Sequence, residues 1–305
     1  MRLLLLACLM LSAAAHARDL QLMFVGDLML AERPGELIRQ GRDPFAEFAP
    51  LFREADLTIG NLECTVAHRG TAEPKPYTFR AHPRVLSVLK KHFDAVSLAN
   101  NHSGDFGPQA FAEMLTHLDQ AGLPYFGGGK NLREAHRPWI VKRHGKTIAI
   151  LGYNEFFPRS FEALPDRAGI AWSDDDQVVF DIQQAKTRDQ ADIVIVYPHW
   201  GWEYEKTHSP RQQQLAHRMI DAGADVVIGG HPHVTQDIET YRGKPIFYSL
   251  GNFVFNGFNN TETTTGWALQ LRISPESTFS WTIYPAKIDR DGVPRLQKPL
   301  PQESH

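Results

Sequence analysis

Five apolar runs in this chain break off into side chains that a packed core rejects. The first ends in Gly26-Asp27 and the second in Gly60-Asn61-Leu62-Glu63. The third ends in Asn100-Asn101-His102, and two later ones in Pro198-His199-Trp200-Gly201 and Gly229-Gly230-His231-Pro232-His233. Runs rich in Val, Ile and Leu predict buried strands at 21–25, 57–62, 95–99, 147–153, 192–197 and 225–228. Between them lie amphipathic stretches at 44–53, 83–92, 108–121, 175–190 and 209–222. Several carry helix-start chemistry, with Asp43, His82 and Ser209 each placed before a proline. Gly122 and Gly223 stand where two of these helices should stop.

Strands alternating with helices predict βαβ units and an α/β fold with a sheet that is at least partly parallel. After Thr240 the pattern changes. Residues 245–249, 266–273 and 279–288 read as strands with no helix between them, which predicts an antiparallel C-terminal third and a second layer. Residues 127–129 and 258–265 read as loops. No repeat or linker interrupts the chain, so residues 18–305 are expected to form one domain.

The first 17 residues have the pattern of a secretory signal: Met-Arg, an apolar run from Leu3 to Ala15, then Ala15-His16-Ala17. The run is too short to span a bilayer, which takes about 20 apolar residues. The chain is therefore expected to be exported to the periplasm or cell surface, with no transmembrane segment after the signal. Cys8 lies inside the apolar run rather than after it, which disfavours lipidation. Without the signal, Cys64 is the one cysteine left, so no intramolecular disulfide can form. It reads as a small buried hydrophobe.

Against 32 Lys and Arg stand 35 Asp and Glu, a formal net charge of −3. That excludes a broad basic surface of the kind nucleic-acid binders use.

Open α/β sheets place ligand sites outside the carboxyl ends of their strands. Carboxylate, amide and imidazole groups gathered there suit divalent Mn, Fe or Zn, held as one ion or two. The candidate ligands are Asp27, Glu63, Asn101, His199, His231 and His233. His102, next to Asn101, is the candidate acid or base. Asp105 either orients His102 or caps the following helix. Arg33, Arg80 and Tyr204, within or beside these motifs, are candidate contacts to an anionic substrate. Trp200, Trp202 and Tyr204 alternate as on one strand face. By that pattern Trp202 packs in the core, while Trp200 beside His199 reaches the site.

Six segments in order carry a family resemblance: Gly26-Asp27-Leu28-Met29-Leu30, Asn61-Leu62-Glu63, Ser97 to His102, His199-Trp200-Gly201-Trp202-Glu203-Tyr204, Gly230-His231-Pro232-His233 and Tyr248-Ser249-Leu250-Gly251-Asn252-Phe253. Together they resemble the CapA family of bacterial capsule-synthesis and poly-γ-glutamate-associated proteins, a branch of the calcineurin-like metallophosphoesterases. The resemblance implies an α/β/β/α sandwich, two mixed β-sheets flanked by helices. It assigns Asp27 and His233 to a first metal and Asn101, His199 and His231 to a second. Glu63 would bridge them, and His102 would act as catalytic acid. Two positions depart from the phosphoesterase pattern: Met29 stands where a histidine is usual, and Glu63 where an aspartate bridges.

Two functions stand open at this point. One is a metal-dependent hydrolase acting on a phosphoester, or on an amide bond of a polyanionic envelope polymer such as poly-γ-glutamate. The other is a non-catalytic, metal-containing binding or assembly factor working with other capsule-synthesis proteins.

Overall fold

A computed structural model describes residues 18–157 and 159–301. The predicted signal peptide lies outside the described residues. Two six- to eight-stranded sheets stack face to face, with helices on both outer surfaces.

In the first sheet the strand Leu20–Leu28 is central. On one side Leu57–Leu62, Ala95–Ser97 and Tyr125–Phe126 follow in parallel. On the other, Thr265–Ile273, Phe279–Ile288 and Pro294–Leu296 continue antiparallel. In the second sheet Lys146–Asn154, Ile193–His199, Val226–Ile228 and Lys244–Phe247 run parallel. Its edges, Trp139–Arg143 and Ile238–Tyr241, are antiparallel.

The expectation that late strands build the second layer needs correcting. Of the three late strands, only Lys244–Phe247 lies in the second sheet, parallel to Val226–Ile228, while strands 265–273 and 279–288 extend the first. The physical reason lies in pairing. The first strand has a free edge once its parallel neighbours are on one side, and an antiparallel partner completes its ladder without a crossover.

Strand periodicity sorts the core. Leu20, Leu22 and Phe24 point toward the second sheet and meet Ile148, Ile150, Ile193, Ile195, Val226 and Phe247. The alternate residues Met23 and Val25 point outward beneath Phe45, Phe48, Leu89 and Phe111. In the second sheet Ala149, Leu151, Val194 and Val196 face the helices Asp175–Thr187 and Pro210–Ala222. Both helices are capped as their sequences require. Asp174 accepts from Gln177, and Ser209 with Gln212 forms a reciprocal capping box.

Phe24 is wholly buried between the sheets, its ring edge-on to Tyr197 with centroids 6.3 Å apart. Phe24→Ala is expected to cost about 3–5 kcal/mol, the range for emptying a buried phenylalanine site. Urea denaturation checks this; a midpoint unchanged from wild type would contradict the packing described.

Candidate metal centre

The carboxyl ends of strands from both sheets converge. In register, Asp27 pairs with Asn61 and Asn252, and Asn61 with Ser97. In the other sheet His199 pairs with Asn154, and a bridge joins it to Gly230. The two sheets touch through Tyr197, whose hydroxyl donates to the Val25 carbonyl at 2.6 Å. Close approach here demands glycine. A Cβ on Gly26 would lie 1.8 Å from the Gly251 carbonyl oxygen, and one on Gly230 would lie 3.0 Å from Asp27 Oδ1.

The two histidines of His231-Pro232-His233 have φ of 95° and 57°. Side-chain-bearing residues avoid this left-handed region, at a cost of about 1–3 kcal/mol each. The turn keeps both imidazoles buried at the strand ends, with ring centroids 6.0 Å apart.

Glu63 stands at the middle of the arrangement. It is fully buried, no N–H or hydroxyl donor reaches either carboxylate oxygen, and the Asp27 carboxyl lies within hydrogen-bond range of it. Its Oε1 lies 3.7 Å from His199 Nε2, 3.9 Å from His233 Nε2 and 4.0 Å from His102 Nε2. On one side, Asp27 Oδ2 is 3.6 Å from His233 Nδ1. On the other, His199 Nε2 is 2.8 Å from Asn101 Oδ1 and 3.2 Å from His231 Nδ1. Two groups of donors thus share Glu63: Asp27 with His233, and Asn101 with His199 and His231.

Donors that bind one ion at about 2.0–2.2 Å stand about 3–3.5 Å from each other. The separations between His199, Asn101 and His231, 2.8 and 3.2 Å, already lie near that range, and those to Glu63 and between Asp27 and His233, 3.6 to 4.0 Å, close with small side-chain movements. The electrostatics fit the same reading. Burial, then the charge of Asp27, pushes the Glu63 carboxyl well above its usual range. Burial, then the neighbouring imidazoles, holds His199 and His231 well below theirs. An unpaired buried carboxylate among neutral imidazoles is costly unless a cation sits there. The residues present therefore fit one or two divalent ions.

Further residues orient the donors. Asn61 Nδ2 donates to Asp27 Oδ1 at 2.9 Å and lies 3.3 Å from His199 Nδ1. Asn252 Oδ1 lies 2.9 Å from His233 Nδ1. Asn100 donates to Asn61 Oδ1 and accepts the His102 amide, so it shapes the loop that presents Asn101 and His102. Sequence reasoning quoted Asn61, Asn100 and Asn252 within motifs but gave none of them this supporting role. Their signal was an amide beside a ligand at a strand end.

His102 Nδ1–H donates to Asp105 Oδ2 at 2.7 Å, which leaves Nε2 toward Glu63. Asp105 is buried and also contacts Lys75 and accepts the Phe79 amide at 2.6 Å. The residue therefore orients His102 and does not cap the following helix, whose N-cap is Phe106 with no side-chain cap bond. Burial, opposed by Asp105, holds the His102 imidazole below its ordinary value.

Beside these groups opens a cleft of about 650 Å³ walled by Lys75, Tyr77, His102, Phe156, Phe161 and Glu203. A smaller recess adjoins it, lined by Tyr204, His233 and Phe258. Of the three substrate candidates, Tyr204 alone lines either space. Arg33 is turned to Asp291 at 2.8 Å. Arg80 lies over the Phe106 ring and donates to the carbonyls of Arg69 and Gly70. Local ion pairing and stacking satisfy both guanidinium groups elsewhere.

The tryptophans exchange roles relative to expectation. Trp200 is fully buried and donates to the Tyr248 carbonyl at 2.9 Å, whereas Trp202 is 68% exposed. The strand stops at His199 and the chain turns at Gly201, where φ is +81°, so strand alternation does not extend to Trp202. Cys64 is buried, and burial pushes its thiol up to about 12, so it is inert.

The fold is a two-sheet sandwich flanked by helices, with carboxylate, amide and imidazole donors at the strand ends. Two solved structures share the fold: the NAD nucleotidase NadN of Haemophilus influenzae and the sulfate thiohydrolase SoxB of Thermus thermophilus. The first aligns at TM-score 0.52 and 13% identity over 92% of this chain and 60% of its own. The second aligns at TM-score 0.50 and 13% identity over 86% and 55%. Residues 21–257 match the bacterial capsule synthesis protein family PGA_cap, and the chain belongs to this family. The PGA biosynthesis protein CapA of Bacillus subtilis is 34% identical over 272 residues, covering 87% of this chain and 70% of its own. The capsule biosynthesis protein CapA of Bacillus anthracis is 32% identical over 286 residues, covering 90% and 69%.

Proposed function

We propose that this chain is an exported metal-dependent hydrolase that cuts a phosphoester or an amide bond in an anionic envelope polymer of the poly-γ-glutamate type. One observation carries the reading. Glu63, with no N–H or hydroxyl donor to either oxygen, is buried among three imidazole nitrogens, one of which belongs to a histidine braced by its own carboxylate. A binding protein has no evident use for the His102–Asp105 pair.

Asp27, Glu63, Asn101, His199, His231 and His233 hold the ions, for which Mn, Fe or Zn suits the mixed oxygen and nitrogen donors. When bound, the ions supply Lewis-acid polarisation and neutralise developing negative charge. Asp105 fixes the tautomer and ring plane of His102. His102 Nε2 then exchanges a proton with the reacting groups. Lys75, which also contacts Asp105 and donates to the Asn101 carbonyl at 2.7 Å, adds positive charge at the cleft wall. Beside Lys75 the wall carries Glu73 and Glu203. Substrate charge is met by the ions and Lys75, not by an arginine fork. Among the described residues no helix is long and apolar enough to cross a membrane.

The test is elemental analysis of the purified chain beside a His231→Ala/His233→Ala variant, with turnover on phosphomonoesters, phosphodiesters and γ-glutamyl peptides. Metal at the strand-end centre and turnover, both lost in the variant while metal held elsewhere on the chain is not, are the expected result. A wild type that stays metal-free after incubation with Mn, Fe and Zn would refute the proposal. Bound metal with no turnover on any of the three classes would favour the assembly-factor role.

A further inference from the structure

A second group of metal-ligating side chains lies outside the strand-end centre and shares no residue with it. His68 follows the short strand Thr65–Val66, and His82 follows that strand's parallel partner, Arg80–Ala81. His117 lies on the helix Gly107–Ala121. The His68 and His82 rings meet edge to face with centroids 4.6 Å apart, and the His68 and His117 rings do so at 5.6 Å. Glu113, one helical turn before His117, completes the group. Its Oε1 accepts the His68 amide at 3.0 Å and stands 3.1 Å from His117 Nε2, and its Oε2 accepts the Arg69 amide at 3.2 Å. One ligand atom each from His68, Glu113 and His117 lie within 4.8 Å of one another.

Three imidazoles from three segments meet here without serving the core: His68 and His82 are exposed and His117 half-buried. As cations they would repel each other. Glu113 is already fixed by two backbone amides, yet a carboxylate has about four acceptor positions and keeps room for an ion.

We propose that His68, Glu113 and His117 form a separate surface site for a transition metal of the Zn²⁺, Ni²⁺ or Cu²⁺ kind, with His82, whose Nδ1 accepts the Arg84 amide at 3.1 Å, moving in through Nε2 as the fourth donor. Three imidazoles and one carboxylate match the donor preference of these ions. The ion takes the place of the proton between His117 Nε2 and Glu113 Oε1, and the neutral ring then carries its proton on Nδ1.

The location gives the site a consequence. His68 and His82 bracket the segment that carries Lys75, Tyr77 and Phe79. Lys75 and Tyr77 line the cleft, and Phe79 packs on the His102 ring with centroids 4.5 Å apart. An ion bound to both histidines and to the helix ties down the base of that segment. This holds whether or not the strand-end centre hydrolyses anything.

Zn²⁺ titration of the full chain by calorimetry, with elemental analysis after dialysis, tests the site. The His231→Ala/His233→Ala variant is expected to keep one Zn²⁺ equivalent, and His68→Ala/His117→Ala to bind one fewer than wild type. With Co²⁺ as probe, the visible bands of a nitrogen-ligated site should persist in the first variant. His82→Asn and Glu113→Gln, single changes of which the second gives up one of the two backbone amides that Glu113 accepts, should each weaken that equivalent about tenfold or more, as loss of one ligand or its support does. They also carry the test if the double variant fails to fold. Full Zn²⁺ stoichiometry in His68→Ala/His117→Ala, or unchanged affinity in both single variants, would overturn the proposal.

Discussion

Replacing Glu63 by glutamine is expected to leave the metal-free protein at least as heat-stable as wild type while abolishing its stabilisation by metal. In the metal-free chain the buried carboxylate has no N–H or hydroxyl donor for either oxygen and lies against Asp27. Leaving such a group unsatisfied costs about 1–3 kcal/mol or more, and an amide of the same shape relieves the charge. With metal the sign reverses. An ion present at 1,000 times its dissociation constant stabilises the fold by about 4 kcal/mol, on the order of 10 °C in melting temperature. Glu63→Gln removes the group shared by both sets of donors, so it should forfeit most of that gain. Scanning calorimetry of both proteins with and without Mn²⁺ or Zn²⁺, in a His68→Ala background to silence the surface group, makes the comparison. A metal-free variant much less stable than wild type would mean that Glu63 has a structural partner. An equal metal-induced gain in both proteins would remove Glu63 from the centre.

His102→Ala should lower kcat by about 10²–10⁴-fold, the usual worth of a positioned acid or base, and leave the metal content unchanged. The separation of effects follows from geometry. His102 Nε2 is 4.0 Å from Glu63, its other nitrogen is committed to Asp105, and the metal donors on either side hold one another without it. Asp105→Asn should cause a smaller loss in kcat than His102→Ala, since the ring remains but its tautomer is no longer set by a carboxylate. Loss of metal along with activity would make His102 a ligand instead. Unchanged turnover in both variants would leave the proton transfer to another group.

The arrangement of layers was legible from the sequence to the extent that it depends on local periodicity. Strand 20–28 could be read in part, at 21–25, because its core is a continuous apolar run, and helix 210–222 because Ser209, Pro210 and Gly223 mark both ends. Sheet membership after residue 240 was not legible. Whether strand 265–273 pairs with strand 20–28 or with 244–247 depends on which edge is free, and nothing local records that.

The candidate centre divides in the same way. Asp27, Glu63, Asn101, His102, His199, His231 and His233 stood out one by one, because polar groups at the ends of apolar strands conflict with burial unless something binds them. That conflict is local and visible in one dimension. Three things were settled only in the folded molecule: the sharing of Glu63, the bracing of His102 by Asp105, and the absence of Arg33 and Arg80 from the cleft. Each is a matter of direction. A long guanidinium side chain can reach a local anion or a distant one, and Arg33 found Asp291, 258 residues away. Residue type and strand position were therefore written in the sequence. Which donors meet across the two sheets, and which charges are neutralised before a substrate arrives, depended on contacts between segments far apart in the chain.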